Sequence, residues 1–229
     1  MNLDPPKGYF LVDKPLMWTS FNVVKKVKFL LKHHHGQKVK IGHAGTLDPL
    51  ASGLLILCYG PMTKLINEFQ DLEKEYTGTI QLGGITPSLD RETKVSETFP
   101  TDHISNELIA EKASSMIGIQ WQQPPLYSAK WHQGERAYHL ARKGEKIELP
   151  ERQIEIVNFQ ITGREGLEVH FNVRCSKGTY IRSLARDFGI ALNSGAYLKA
   201  LRRTAIGPHR VESALSIDEL IELLKKPEE

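Results

Sequence analysis

The chain has 229 residues, 40% hydrophobic and 25% charged. That composition suits a globular protein with a core of its own and argues against disorder or a fibre. No apolar run reaches transmembrane length and the first ten residues lack a signal-peptide pattern, so a cytoplasmic protein with no membrane attachment is expected. Two cysteines far apart, Cys58 and Cys175, argue against a disulfide framework. The net charge is only +3, but it is segregated. From Lys14 to Leu47 there are seven lysines, four histidines and no carboxylate, whereas acids gather at Glu68–Glu75 and from Glu212 onward. Such a distribution fits a phosphate-backbone footprint and equally fits solvated helix faces.

In chain order, Gly8–Pro15 reads as a short strand. Thr19 or Ser20 can cap a helix running to about Lys32, with Val23, Val27, Leu30 and Leu31 at helical spacing. Lys38–Pro49 reads as a loop rich in Gly and His. Leu54–Tyr59 is a continuous apolar run and a buried strand, and Thr77–Leu82 alternates as another strand. Pro87–His103 is polar and irregular. Ser105–Ile117 forms an amphipathic helix stopped by Gly118. Pro124–Pro150 is basic and mixed, an inserted and partly mobile segment. Gln153–Ile161 and Leu167–Cys175 form a hairpin, Ile181–Leu192 a helix, and Ser216 with Glu219 a capping box for the last helix. Strands interspersed irregularly with helices predict an α+β fold with a mixed or antiparallel sheet, in one continuous domain over 1–229. His33–His35 are adjacent rather than at ligand spacing and sit at a helix end, where they supply charge; no metal is expected.

The segment Ile41–Leu55, IGHAGTLDPLASGLL, concentrates the chemistry. Small residues surround one carboxylate, Asp48, and Pro49 biases Asp48 away from helical backbone. Glycines on both sides let a bulky ligand approach the chain closely. On residues alone, Asp48 bonding only local amides in a turn is the competing reading.

The string Gly42, His43, Gly45, Thr46, Leu47, Asp48, Pro49, Ala51, Gly53 and Leu55 resembles the GHxGTLDPxAxGxL signature of TruB-type tRNA pseudouridine synthases. Further segments resemble the same family in the same order: Lys74-Glu75-Tyr76, Cys175-Ser176-Lys177-Gly178-Thr179-Tyr180-Ile181-Arg182, Leu198–Arg203, and Pro124–Glu145. The resemblance implies a pseudouridine synthase fold, with a mostly antiparallel sheet flanked by helices and an RNA-gripping insert at about 124–150. It implies Asp48, Tyr76 and Arg182 as catalytic residues, with Arg182 pairing Asp48. It implies that His43 fills the space left by a flipped nucleotide, and that Tyr180 and Leu201 line the base pocket. Lys130, Arg136, Arg142 and Lys143 become phosphate contacts, and Tyr138 a stacking or structural residue. Two departures stand out: only the helix at 216–226 occupies the place of the PUA domain many members carry, and Gly83–Asp90 (GGITPSLD) lacks the first acid of the family's T-D-T-x-D pattern.

The implied reaction isomerises a T-loop uridine of tRNA, breaking N1–C1′ and rejoining through C5. It has no net redox change or hydrolysis, so no cofactor is expected. Asp48 either attacks the base at C6 or assists its departure by a glycal route. The implied partner is the T arm of tRNA, bound by a monomer with no obligate protein or guide RNA. The alternatives are a guide-dependent synthase, a silent RNA chaperone of the same fold, and a carboxylate hydrolase. The last would want a second paired carboxylate, and none lies near Asp48 in sequence.

Overall fold

The computed structural model describes residues 7–128, 130–132, 134–145, 147 and 149–225, with the backbone alone for 131, 132 and 136. The chain divides into two compact units, Met1–Tyr76 with Arg202–Glu229, and Thr77–Leu201.

The first unit opens with β1 (Gly8–Lys14), α1 (Ser20–His35), β2 (Ile41–Ala44), β3 (Ala51–Tyr59) and α2 (Ile66–Asp71). Strand β4 (Lys74–Leu82) carries the chain into the second unit. There follow β5 (Gly84–Ile85), β6 (Glu97–Thr98), α3 (Asn106–Ser115), β7 (Gly118–Gln122), β8 (Trp131–His132), β9 (Glu135–Arg136) and α4 (Ala137–Arg142). The long hairpin β10 (Arg152–Glu165) and β11 (Glu168–Cys175) comes next, then α5 (Ile181–Ala191). Strand β12 (Ala196–Ile206) returns the chain to the first unit, which closes with β13 (His209–Arg210) and α6 (Ile217–Leu224).

The principal sheet runs β1-β3-β12-β4-β11-β10-β7, with β2 added to β3 and β13 to β12. The β1–β3, β2–β3, β7–β10, β10–β11 and β12–β13 pairs are all antiparallel. This is the α+β architecture expected from the irregular succession of strands and helices.

In the first unit, β3 is buried along nearly its whole length and separates two clusters. Val23, Val27 and Leu31 of α1 pack with Val12, Leu55, Leu57, Leu220 and Leu224. Ala44, Leu54, Ile56, Cys58, Ile206 and Val211 form the other cluster. Alternation explains the division, because Leu55 and Leu57 point to one face of β3 and Leu54, Ile56 and Cys58 to the other. The Cys58 thiol, desolvated there, is pushed up to about 11. Leu215 caps the β1 edge: Asp13 N–H donates to its carbonyl and Leu215 N–H donates to Leu11, both at 2.9 Å. In the second unit, Phe159 meets Phe171 and Phe188 edge-on at centroid distances of 5.7 and 5.5 Å.

Several sequence expectations shift. Thr19, not Ser20, caps α1: its hydroxyl accepts Asn22 N–H at 2.9 Å while the Asn22 side chain accepts Thr19 N–H at 3.0 Å. The helix runs on through the three histidines to Gly36, whose φ of 68° closes it. Lys38–Pro49 is not wholly loop, since Ile41–Ala44 is β2. Leu198–Arg203, read only as a motif, lies in β12, and Gly118 begins β7 rather than merely ending a helix. The insert has its own β8–β9 hairpin and α4. The Ser216–Glu219 capping box forms as expected. No described helix is long and apolar enough to cross a membrane.

Candidate active site

The loop bearing Asp48 is fastened on both sides of the carboxylate. Immediately before it, the buried Ser20 hydroxyl accepts Leu47 N–H at 2.9 Å and donates to Leu47 C=O at 3.1 Å. Immediately after it, Met17 N–H donates to Pro49 C=O at 2.8 Å. Ala51 N–H closes the turn on the Asp48 carbonyl at 3.1 Å. Two bonds from Ser20 of α1, one from Met17 of the β1–α1 connection and one within the loop leave the backbone at Asp48 little freedom, as pre-organised catalytic groups require. Ser20 was considered at the sequence level only as a cap; its position at the first turn of α1 is what lets it reach the loop.

Two buried cations stand behind this loop. Lys14, fully buried at the end of β1, donates to the carbonyls of Pro15 and Trp18. Its ammonium is lowered to about 8: burial drives the shift down, attraction to the Asp48 carboxylate opposes it, and the Arg203 charge assists it. Arg203, 1% exposed, donates from Nε to Leu54 C=O at 2.7 Å and from Nη2 to Gly45 C=O at 3.1 Å. Lys14 has no role implied by the sequence, whereas the family resemblance implies that Arg202 and Arg203 support the sheet or the RNA, and Arg203 bonds the sheet strand β3 through Leu54. The visible signal was two basic residues, Lys14 and Arg203, inside otherwise strand-forming stretches.

The glycines of the motif have separate duties. Gly53 has φ 101°, and a Cβ there would sit 2.2 Å from the Arg203 carbonyl, so only glycine lets β3 and β12 approach. Gly45 has φ 90° and turns the chain out of β2.

His43 lies in β2, and burial, with the Arg203 charge assisting, lowers its pKa below the ordinary histidine value. At neutral pH its ring is therefore uncharged and suited to stacking rather than ion pairing. Tyr76 is 8% exposed, in the part of β4 that belongs to the first unit. The first unit thus gathers Asp48, His43, Tyr76, Lys14 and Arg203. Arg202, beside Arg203, forks onto Asp13 at 3.0 and 2.7 Å.

The second unit holds Arg182, Tyr180 and Leu201. Arg182 is buried at the first turn of α5, an unfavourable place for a cation at the positive end of a helix. Its guanidinium donates to Ser88 C=O at 3.0 Å and Tyr127 C=O at 2.9 Å, and lies 3.7 Å from the Asp90 carboxylate. Asp90 is the acid of GGITPSLD whose role the sequence left open, and Thr86 bonds its carbonyl at 2.7 Å. Gln122 brackets Tyr180, accepting its N–H at 2.9 Å and donating to its carbonyl at 3.2 Å. Leu201 is half-buried in β12.

Among the expected phosphate contacts, Arg142 lies 2.7 Å from Glu92 and 5.8 Å from the centroid of the Tyr138 ring. Lys143 pairs with Glu135 at 2.8 Å. Lys130 is lowered by burial and by the Arg152 charge. The side chain of Arg136 lies outside the described residues. No group of histidines, cysteines and carboxylates able to hold a metal occurs among the described residues.

A model of the TruB family pseudouridylate synthase N-terminal domain matches residues 32–181, and that span includes the fastened loop and the start of α5. The chain belongs to the TruB family. Its similarity to other TruB proteins extends well beyond that span. It is 53% identical over 209 residues to tRNA pseudouridine synthase B of Flavobacterium johnsoniae, covering 90% of this chain and 91% of that one. It is 49% identical over 217 residues to the protein of the same name from Phocaeicola vulgatus, covering 94% and 92%. Among solved structures, the Cbf5-Nop10-Gar1 complex contains a chain similar at TM-score 0.70 and 28% identity, over 94% of this TruB chain. An H/ACA RNP bound to a substrate RNA containing 2′-deoxyuridine contains another, at TM-score 0.67 and 25% identity. This chain spans about half the length of each, 54% and 52%.

Proposed function

We propose that this TruB-family chain isomerises a T-loop uridine of tRNA to pseudouridine, acting as a cytoplasmic monomer with no cofactor, guide RNA or obligate protein partner. The observation that carries the reading is the Asp48 loop, anchored through Leu47, Pro49 and Gly45 and backed by a buried lysine and a buried arginine. Relatives about half identical over nearly their whole length and named tRNA pseudouridine synthase B support the choice of substrate.

In this reading 1–229 act as one catalytic domain, and the ionised Asp48 attacks the base or assists its departure from C1′. Its fastened backbone removes the need to order the nucleophile during reaction. The uridine must leave the stack to reach it, and the neutral ring of His43 is proposed to occupy the vacated place. Tyr76 serves as stacking surface and proton donor or acceptor. Arg182 is the further catalytic residue, and Tyr180 and Leu201 contact the base. Lys130, Arg136, Arg142 and Lys143 contact phosphates.

The test is tritium release from tRNA transcript carrying [5-³H]uridine. Wild type should release label; Asp48→Asn should not, nor should wild type on a transcript with cytidine at the T-loop target. Release by folded Asp48→Asn at the wild-type rate would remove Asp48 from the chemistry. No release by wild type from any tRNA would end the reading.

A further inference from the structure

The outer face of α1 is anomalous for a surface helix. Val23, Val27 and Leu31 supply the buried stripe, yet Phe21 and Phe29 are 70% and 57% exposed on the side that ordinarily carries only polar residues. Met17, 68% exposed, holds φ 68°, a left-handed backbone that a non-glycine residue rarely adopts. Between them lies a surface pocket of about 430 Å³ lined by Met17, Trp18, Asn22, Lys25, Lys26 and Phe29. It combines two aromatic rings, one thioether and two ammonium groups. The stretch between Asp13 and Asp48, which supplies every lining residue, carries no carboxylate, and the acids of α6 (Asp218, Glu219 and Glu222) belong to the helix packed on the opposite, buried stripe of α1.

We infer that this pocket binds an unpaired nucleotide of the RNA substrate other than the one being isomerised, its base against Phe29 and Trp18 and its phosphates on Lys25 and Lys26. Two aromatic faces, Trp18 and Phe29, with a pair of lysines between them in sequence match a single-stranded nucleotide, which presents a flat apolar base beside a fixed anion. Charge complementarity excludes an acid-free apolar occupant as the best fit. Continuity with the site favours RNA over a protein partner, because the strained Met17 that forms one wall is the residue whose N–H holds Pro49, next to Asp48. A ligand in the pocket therefore lies beside the loop that handles the target, and seating it stabilises the same β1–α1 connection that fastens Asp48.

This inference rests on the proposed tRNA activity, and the experiment separates the two. tRNA affinity is measured by filter binding over a series of KCl concentrations for wild type, Phe29→Ala, Lys25→Glu/Lys26→Glu, and Lys112→Glu as a charge control on α3. Single-turnover conversion at saturating tRNA is followed in parallel. Phe29→Ala should weaken binding about tenfold with an unchanged salt slope. The double lysine variant should weaken it at least as much and flatten the slope of log K against log salt by about two. Conversion at saturation should stay near wild type, and 4-thiouridine tRNA should photocrosslink to Trp18 or Phe29. Binding within twofold of wild type for both pocket variants overturns the inference while leaving the activity intact. Loss in Lys112→Glu equal to that in the double variant also overturns it, since the effect is then general charge. Wild type that neither binds nor converts tRNA overturns the proposed function, and this inference with it.

Discussion

Arg203, buried in β12, donates from Nη2 to the Gly45 carbonyl at 3.1 Å and from Nε to the carbonyl of Leu54, nine residues further along the chain, at 2.7 Å. One side chain thereby ties the entry of the Asp48 loop to the strand that follows it. Arg203→Lys keeps the charge but cannot span two carbonyls with a planar fork. We expect it to destabilise the protein by about 3 kcal/mol in urea titration, and to lower turnover more than tRNA affinity. Unchanged stability would mean that the fork does not hold the loop.

Gly53→Ala should be severe for its size. The new methyl would lie 2.2 Å from the Arg203 carbonyl, at a φ of 101° that alanine avoids. A loss of more than about 2 kcal/mol is expected, read as a fall in the urea midpoint. A midpoint within error of wild type would require β12 to shift freely.

Lys14 ties stability to pH. Its folded pKa, lowered to about 8, lies below the ordinary 10.5, so between these values the unfolded chain binds more protons than the folded one. Stability contributed by this group therefore rises as pH increases from about 8 to 10.5, and the penalty of the buried charge is fully present below 8. Lys14→Met should remove that rise, so the stability difference between variant and wild type changes by on the order of 2 kcal/mol between pH 7 and pH 10. Parallel curves would place the lysine's titration elsewhere. If the ammonium also balances Asp48, wild-type turnover falls above about pH 8.

Asp90→Asn removes the charge facing Arg182 while keeping its shape. Both side chains are almost entirely buried, at 7% and 5% exposure. Stability should fall by about 3 kcal/mol. If Arg182 acts in the reaction, kcat should fall about tenfold with KM nearly unchanged, because the arginine is mis-aimed rather than lost. A fall in stability alone would leave Asp90 structural.

The motif around Asp48 was legible because its demands are local. Pro49 constrains Asp48, and glycines at 45 and 53 answer backbone conformations that other residues resist. The buried β3 run, the β10–β11 hairpin and the Ser216 cap were equally local and stand where expected. Strands β2, β7 and β12 escaped notice because each is defined by its neighbour. Ile41–Ala44 looks like loop until β3 supplies its hydrogen bonds, and β12 carries charged residues at strand positions.

By itself the sequence determined the family through its ordered motifs, the α+β class, and the acid-free basic stretch from Lys14 to Leu47, since motif order, periodicity and charge order are properties of neighbours along the chain. Only the tertiary structure decided that Ser20 serves the loop and not the helix cap, that Lys14 and Arg203 lie buried behind Asp48, that Asp90 faces Arg182, and that Gln122 holds Tyr180. Each of these joins residues from 27 to 158 positions apart or turns on burial. The energy of a buried charge or hydrogen bond depends on what folding brings within reach, which no local pattern encodes.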